Sequence, residues 1–167
     1  IVVGGSGSTT EAAEVSADGT IVCGGATTPA GREAFRWTAA GGVEFLGDLP
    51  GGAVWSSAGA MSADGETIVG GGTSAEGSRP FIWTRAHGMR DLRQVLTDDF
   101  GVDLTGWVLS YVNGISGDGK VLCGNGVHNG VSEGWVVYLP TTCDLETVRE
   151  PIDRLVHSDA TFTLSTI

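Results

Sequence analysis

The stretch VSADGTIVCGG, residues 15–25, decides the fold. Its Asp18-Gly19 pair can close a hairpin, open a calcium loop or supply a catalytic carboxylate, and the three readings lead to three different functions. The same words return as MSADGETIVGG at 61–71 and ISGDGKVLCGN at 115–125. Each has an apolar residue, Ser, a small residue, Asp, Gly, one or two further residues, a short apolar run and Gly. The register extends beyond the phrase: 46 residues separate Asp18 from Asp64 and also Phe35 from Phe81, while 54 separate Asp64 from Asp118 and Phe81 from Trp135. Two independent landmarks on one period indicate a repeat array, in which each unit needs its neighbours to bury its apolar surface.

Recurrence also sorts the three readings. Asp-Gly between apolar runs is a strong hairpin signal, because Gly accepts the positive φ of the turn and Asp bonds its own backbone. Ser16, Ser62 and Ser116 are expected to add a side-chain bond to the same turn. A calcium loop needs several alternating oxygen ligands, and each phrase offers one carboxylate. Catalysis needs a second group at a defined spacing, and these Asp residues recur without one. Asp18, Asp64 and Asp118 are therefore read as architecture.

The middle unit is the clearest: SSAGAMS, the turn, ETIVGG, a Ser/Gly-rich loop, RPFIWT, a turn at Ala86-His87-Gly88, and MRDLRQV. Those are four short strands in about the length of one propeller blade. Strand alternation puts Phe81 and Trp83 on one side and Ile82 on the other, so both faces are apolar, as in sheets stacked face to face. Phe35, Arg36 and Trp37 repeat this with a polar residue on the second face. The expected class is all-β, a β-propeller-like repeat of four-stranded antiparallel blades, incomplete within this chain.

Composition agrees. With 28 Gly, 41% apolar and 17% charged residues among 167, the chain is too hydrophobic for disorder and suits a β protein rich in turns. Nine Lys and Arg against 20 Asp and Glu, a net charge of -11, argue against nucleic acid or an anionic membrane as partner. No apolar run reaches the roughly 20 residues that cross a bilayer. IVVGG at 1–5 reads as the inside of a strand, so the natural N-terminus and any export signal are expected upstream. It resembles the new N-terminus of trypsin-like proteases, but none of their Ser or His motifs accompanies it.

Candidate chemistry is sparse. His87, His128 and His157 have no partner at metal-ligand spacing and are expected to be exposed. GGSGS at 4–8 lacks the Lys and helix of a phosphate loop. Asp98 and Asp99 fall in the insertion that lengthens the second interval, read as a solvated loop in preference to a binding loop. Trp55 and Trp107 lie between repeats, where an aromatic can meet sugar or protein, and the expectation is burial between blades. Cys23 and Cys123 hold equivalent strand positions, Cys143 lies in the tail, and one disulfide, involving Cys143, stays open. No catalytic, cofactor-binding or metal-binding residue is assigned.

The ordered words Ser16 to Gly19, Ile21 to Gly24, Ala34 to Thr38, Gly41-Gly42 and Leu46 to Gly52 resemble the bacterial HAF repeats. Residues 104–140 are similar to the final repeat of such arrays. The resemblance covers nearly everything from 11 to 140. It implies a β-propeller-like fold in exported or cell-surface bacterial proteins, including autotransporter passengers, with no established enzyme activity. The turns also resemble the Asp-box of sialidase-type propellers, but that box has a residue between Asp and Gly, and no glycosidase chemistry is carried over.

The units are read at about 11–56, 57–107 and 108–140, preceded by a lone strand 1–5 and followed by a tail, 141–167. That tail is read as a short helix over 144–157, interrupted at Pro151, and a terminal strand in TFTLSTI. Propellers typically need about four blades to close, so the array is expected to be a fragment, to assemble from copies, or to stack openly. The expected function is a non-enzymatic extracellular or cell-surface binding or structural module without a cofactor. Protein or glycan partners, neighbouring repeats or a homo-oligomer fit it, and nucleic acid does not. The alternatives are a self-assembling subunit using its incomplete blades and, third, a glycan-active propeller enzyme.

Overall fold

The computed structural model describes residues 9–139. The lone strand 1–5, the Gly-rich 4–8, Cys143, His157, and the helix and strand expected in the tail lie outside the described residues. Within them, three antiparallel units follow one another. The first holds β1 (Thr10–Val15), β2 (Ile21–Thr28), β3 (Gly31–Thr38) and β4 (Gly42–Phe45). The second holds β5 (Gly51–Met61), β6 (Thr67–Ser74), β7 (Gly77–Thr84) and β8 (Gly88–Asp91). The third holds β9 (Trp107–Ile115), β10 (Val121–His128) and β11 (Val131–Tyr138). One parallel bridge, Arg32 opposite Trp55, ties the first unit to the second. The architecture is all-β and propeller-like.

The core lies between the units. Met61, Ile68, Trp83 and Met89 stand opposite one another across four strands. That row, with Phe81, packs against Ile21, Cys23, Ala34, Leu46 and Leu49 of the first unit and its following loop. On the other face of the second unit, Val69 and Ile82 pack against Leu109, Leu122, Trp135 and Val137 of the third. Neighbouring residues of one strand thus serve opposite layers, as alternation predicts.

A feature that the sequence does not announce repeats in all three units. Pairing skips Ala13 in β1, Gly59 in β5 and Asn113 in β9, leaving a bulge at one equivalent position. It throws the carbonyl two residues before it over a glycine of the next strand. A Cβ on Gly24 would lie 1.9 Å from Glu11 O, on Gly70 2.1 Å from Ser57 O, and on Gly124 2.0 Å from Tyr111 O. This close approach explains the Gly that ends each repeated phrase, and Phe35, Phe81 and Trp135 pair directly with it.

Two readings change. MRDLRQV is strand only through Asp91: the Asp91 carboxylate accepts from Gln94 N and starts α1 (Leu92–Gln94), which continues as a π-helix over Val95–Asp99. Leu92, Val95 and Leu96, at helical spacing, enter the core between the second and third units. The insertion containing Asp98 and Asp99 is therefore helical rather than a loop: its apolar side plugs the core, while Asp98 and Asp99 themselves stay exposed, as expected. β5 also begins at Gly51 and runs unbroken to Met61, across the boundary read at 56–57.

Candidate functional site

The three Asp-Gly corners share one geometry. Ser16, Ser62 and Ser116 donate their hydroxyls to Asp18, Asp64 and Asp118 at 2.7, 2.5 and 2.5 Å. Each hydroxyl oxygen also accepts the amide of the residue that opens the next strand, Ile21, Thr67 or Val121, at 3.0, 3.0 and 2.9 Å. Each carboxylate accepts a further amide, from Thr20, Glu66 or Lys120. Gly19, Gly65 and Gly119 take the positive φ of the corner, 75°, 63° and 74°. The Asp residues thus serve as turn staples.

These bonds hold the carboxyls ionised. The Ser16 hydroxyl, then the Thr20 amide and hydroxyl, lower Asp18 from 3.8 to about 2. Asp64 and Asp118 are lowered in the same way, first by the Ser hydroxyl and then by the amide. A depressed folded-state value stabilises the fold above the unfolded value and loses that contribution as pH falls through the folded one. Melting temperature is expected to drop as pH falls from 3.8 toward about 2. A triple Asp→Asn variant at 18, 64 and 118 should melt lower at neutral pH and lose less over that interval. Equal slopes would remove the staples from the acid transition.

The corners are also linked to each other. Ala17 N donates to Ala63 O at 3.3 Å, and Ala63 N to Gly117 O at 2.8 Å. Arg36, the polar residue in the first unit's strand, is buried and crosses to the second unit. Its Nε donates to Gly65 O at 3.0 Å and its guanidinium meets Glu66 at 3.1 Å. Arg85 completes the group on Glu66 at 2.9 Å and Glu44 at 3.7 Å.

Other candidates disperse. His87 is exposed beside Thr84. His128 departs from expectation: it is half-buried, stacked on Trp107 at 4.7 Å and 7°, with Glu133 3.5 Å away. Trp107 is buried as expected, but Trp55 stays 43% exposed. Asp99 is paired with Arg90 at 2.5 and 3.0 Å. Both line a shallow groove with Ile82, His87 and Phe100, so its two strongest charges are already paired to each other. Among the described residues, no three His, Cys, Asp or Glu side chains converge to hold a metal ion. Cys23 and Cys123 are free, and burial first pushes the Cys23 thiol up to about 12.

The two outer sheet faces stand apart from these. On the first unit, Val15, Val22, Trp37 and Val43 stand opposite one another in a single row, with Phe35 and Phe45 beside it. Val15, Val43 and Phe45 are 55, 38 and 48% exposed. On the third unit, Val121, Cys123, Val136 and Tyr138 share the face opposite the core, where Cys123 and Tyr138 are exposed. Sequence reasoning assigned none of these residues to a site, although the 46-residue period could have found the first row by projecting the second unit's core onto the first.

No family model and no curated protein matches the chain. Solved structures do. The chain is similar to a TolB-like protein from Agrobacterium tumefaciens, with a TM-score of 0.53 and 16% identity, over 74% of this chain and 40% of that one. It is similar to TolB from Acinetobacter baumannii, with a TM-score of 0.53 and 14% identity, over 80% of this chain and 30% of that one. The chain thus spans less than half the length of either, and what the two likenesses establish is the β-propeller fold.

Proposed function

We propose that the chain is a non-enzymatic binding or structural module of an exported bacterial protein built from HAF-type repeats, and that it binds protein through its outer sheet faces. The observation that carries this reading is the apolar row Val15–Val22–Trp37–Val43, which runs across four strands and is open to solvent at both ends. An apolar sheet face suits another folded surface better than a small polar ligand, since soluble proteins rarely leave such patches unused. The repeated words that resemble HAF repeats form the three stapled corners, which supports the array reading, and the export reading rests on that same resemblance. No helix among the described residues is long and apolar enough to cross a membrane.

A protein and peptide array probed with the purified chain tests this reading. Capture that disappears in a Val15→Glu/Val43→Glu variant is the expected result. Capture unaffected by the pair of substitutions, or a blank array, overturns the assignment of the face, and turnover in a hydrolase screen overturns the non-enzymatic reading.

A further inference from the structure

We propose that the groove between the second and third units binds a small carboxylate with an apolar body, such as an aromatic or short branched-chain acid. The proposal goes beyond the outer faces, because the walls of this groove come from the facing sides of those two units and from the insertion between them.

The chain contains two junctions built on one plan, and they differ at one place. At the first, Ile21, Arg36 and Glu44 of the first unit face Gly65, Glu66 and Arg85 of the second. That place is full. A Cβ on Gly65 would lie 2.7 Å from Ile21 Cδ1. The Arg36 side chain crosses beside it, with Nε donating to Gly65 O at 3.0 Å and the guanidinium 3.1 Å from Glu66 and 3.9 Å from Glu44.

At the second junction the equivalent positions, 46 residues on in the one unit and 54 in the other, are Thr67, Ile82 and Arg90 facing Gly119, Lys120 and Leu139. Ile82 stands opposite Arg90 as Arg36 stands opposite Glu44. Thr67 is shorter than isoleucine, so a Cβ on Gly119 would still be 3.7 Å from Thr67 Oγ1. Ile82 ends where the stem of Arg36 continues. The space that the first junction fills with an arginine is left at the second as a groove of about 200 Å³, lined by all of these residues except Lys120. The corner itself is unchanged: the Asp64 and Asp118 carboxylates accept the amides of Glu66 and Lys120 at 3.0 and 3.1 Å, so Lys120 leaves the backbone as Glu66 does.

Size and charge name the ligand. An apolar cavity of about 150 Å³ takes benzene, so this groove has room for a ring of that size and one small polar group. Ile82 and Val95, 6 and 5% exposed, supply apolar walls together with Phe100 and Leu139. The sign of the polar group follows from the first junction, where the cation Arg36 is matched by Glu66 and Glu44. Their counterparts are Lys120 and Arg90, both cations, so a second cation is repelled there and a carboxylate is attracted. Asp99, which the insertion adds, already holds Arg90 through both oxygens, and Lys120 is the charge left for the ligand. The Thr67 and Thr84 hydroxyls line the same groove and can donate to a carboxylate oxygen. The net charge of -11 opposes an anion only at range, because physiological salt screens exposed charges beyond about 8 Å.

Titration of the full chain with benzoate, followed by amide chemical shifts, tests this. Benzoate is expected to bind with a Kd of about 1 mM and to shift the amides of Thr67, Thr84, Gly88 and Gly119. Benzyl alcohol, of the same shape without the charge, should bind several-fold more weakly, and benzylamine more weakly still. Lys120 is exposed, so Lys120→Glu should fold as the wild type does; it should weaken benzoate by about tenfold and turn the preference toward benzylamine. Thr67→Ile, which places the first junction's side chain against the corner glycine, should weaken all three compounds alike. No shift at these amides up to about 20 mM benzoate overturns the proposal. So does benzylamine binding as tightly as benzoate, a Lys120→Glu variant that keeps the wild-type affinity, or a Thr67→Ile variant that does. The Val15→Glu/Val43→Glu variant should bind benzoate as the wild type does, so the groove and the outer face stand or fall separately. Loss of benzoate binding in that variant would put the site on the outer face and overturn the groove.

Discussion

Phe81→Ala is expected to destabilise the chain by about 3–5 kcal/mol, read as a lower urea midpoint with an unchanged denaturant slope. Phe81 is fully buried, pairs with Gly70 across β6 and β7, and packs in the layer that joins the first and second units. Removing the ring loses its transfer energy and leaves a cavity that the layer cannot close. Its walls are sheet backbone held in register by β6 on one side and β8 on the other. The melting temperature should fall by about 6–20 °C for a chain of this size. Phe81→Leu keeps most of the volume and should lose distinctly less. The loss should also be felt by more than one unit, because each sheet relies on its neighbour to cover it. Amide exchange in β2 and β3 should rise along with that in β6 and β7. Faster exchange confined to the second unit would show that the first is stable without that layer.

What could be read from the sequence follows the range of the interactions. The corners were legible because Ser16, Asp18, Gly19 and Ile21 complete their bonds within six residues, and hydroxyl, carboxylate and glycine each have one evident role there. The two-sided strands were legible because Phe81, Ile82 and Trp83 alternate over adjacent positions. The bulges were not: Ala13, Gly59 and Asn113 share no chemistry, and the skipped pairing depends on the partner strand. Arg36 could be read only as a polar residue on the second face of its strand, because its acceptor, Gly65 O, lies 29 positions away in another unit. His128 was misread for the same reason, since its stacking partner Trp107 is brought to it by the pairing of β9 with β10. The helical plug was hidden differently. Leu92, Val95 and Leu96 form only one turn of apolar periodicity, too short to outweigh the strand pattern before it. The outer row lay within reach of the repeat period, but its significance required knowing that the equivalent row in the second unit is covered.

Gly70→Ala is the sharper test of the repeated bulge. Gly70 does not use the left-handed backbone region that usually explains glycine, so only space distinguishes it from alanine. The added Cβ would lie 2.1 Å from Ser57 O, 2.9 Å from Ala58 Cα and 2.9 Å from Phe81 Cε1. Two of those atoms are backbone of β5, tied to β6 by the pairs Ser57 with Gly71 and Ala58 with Gly70, so neither can retreat without opening the ladder. Overpacking costs about 1–3 kcal/mol and sometimes more, and a backbone carbonyl this close puts Gly70→Ala at about 3 kcal/mol or above. Gly24→Ala and Gly124→Ala meet the equivalent carbonyls and should behave alike. Gly59→Ala, in the bulge itself, has nothing closer than Val69 O at 3.9 Å and should stay within about 0.5 kcal/mol of wild type. The double variant Gly70→Ala/Phe81→Ala separates the two possible origins of the clash. If the bulged carbonyl dictates the glycine, removing the ring relieves one of three close approaches and the two losses add nearly in full. If Phe81→Ala instead rescues Gly70→Ala, the aromatic residue demands the glycine, and the bulge is a by-product of the same packing.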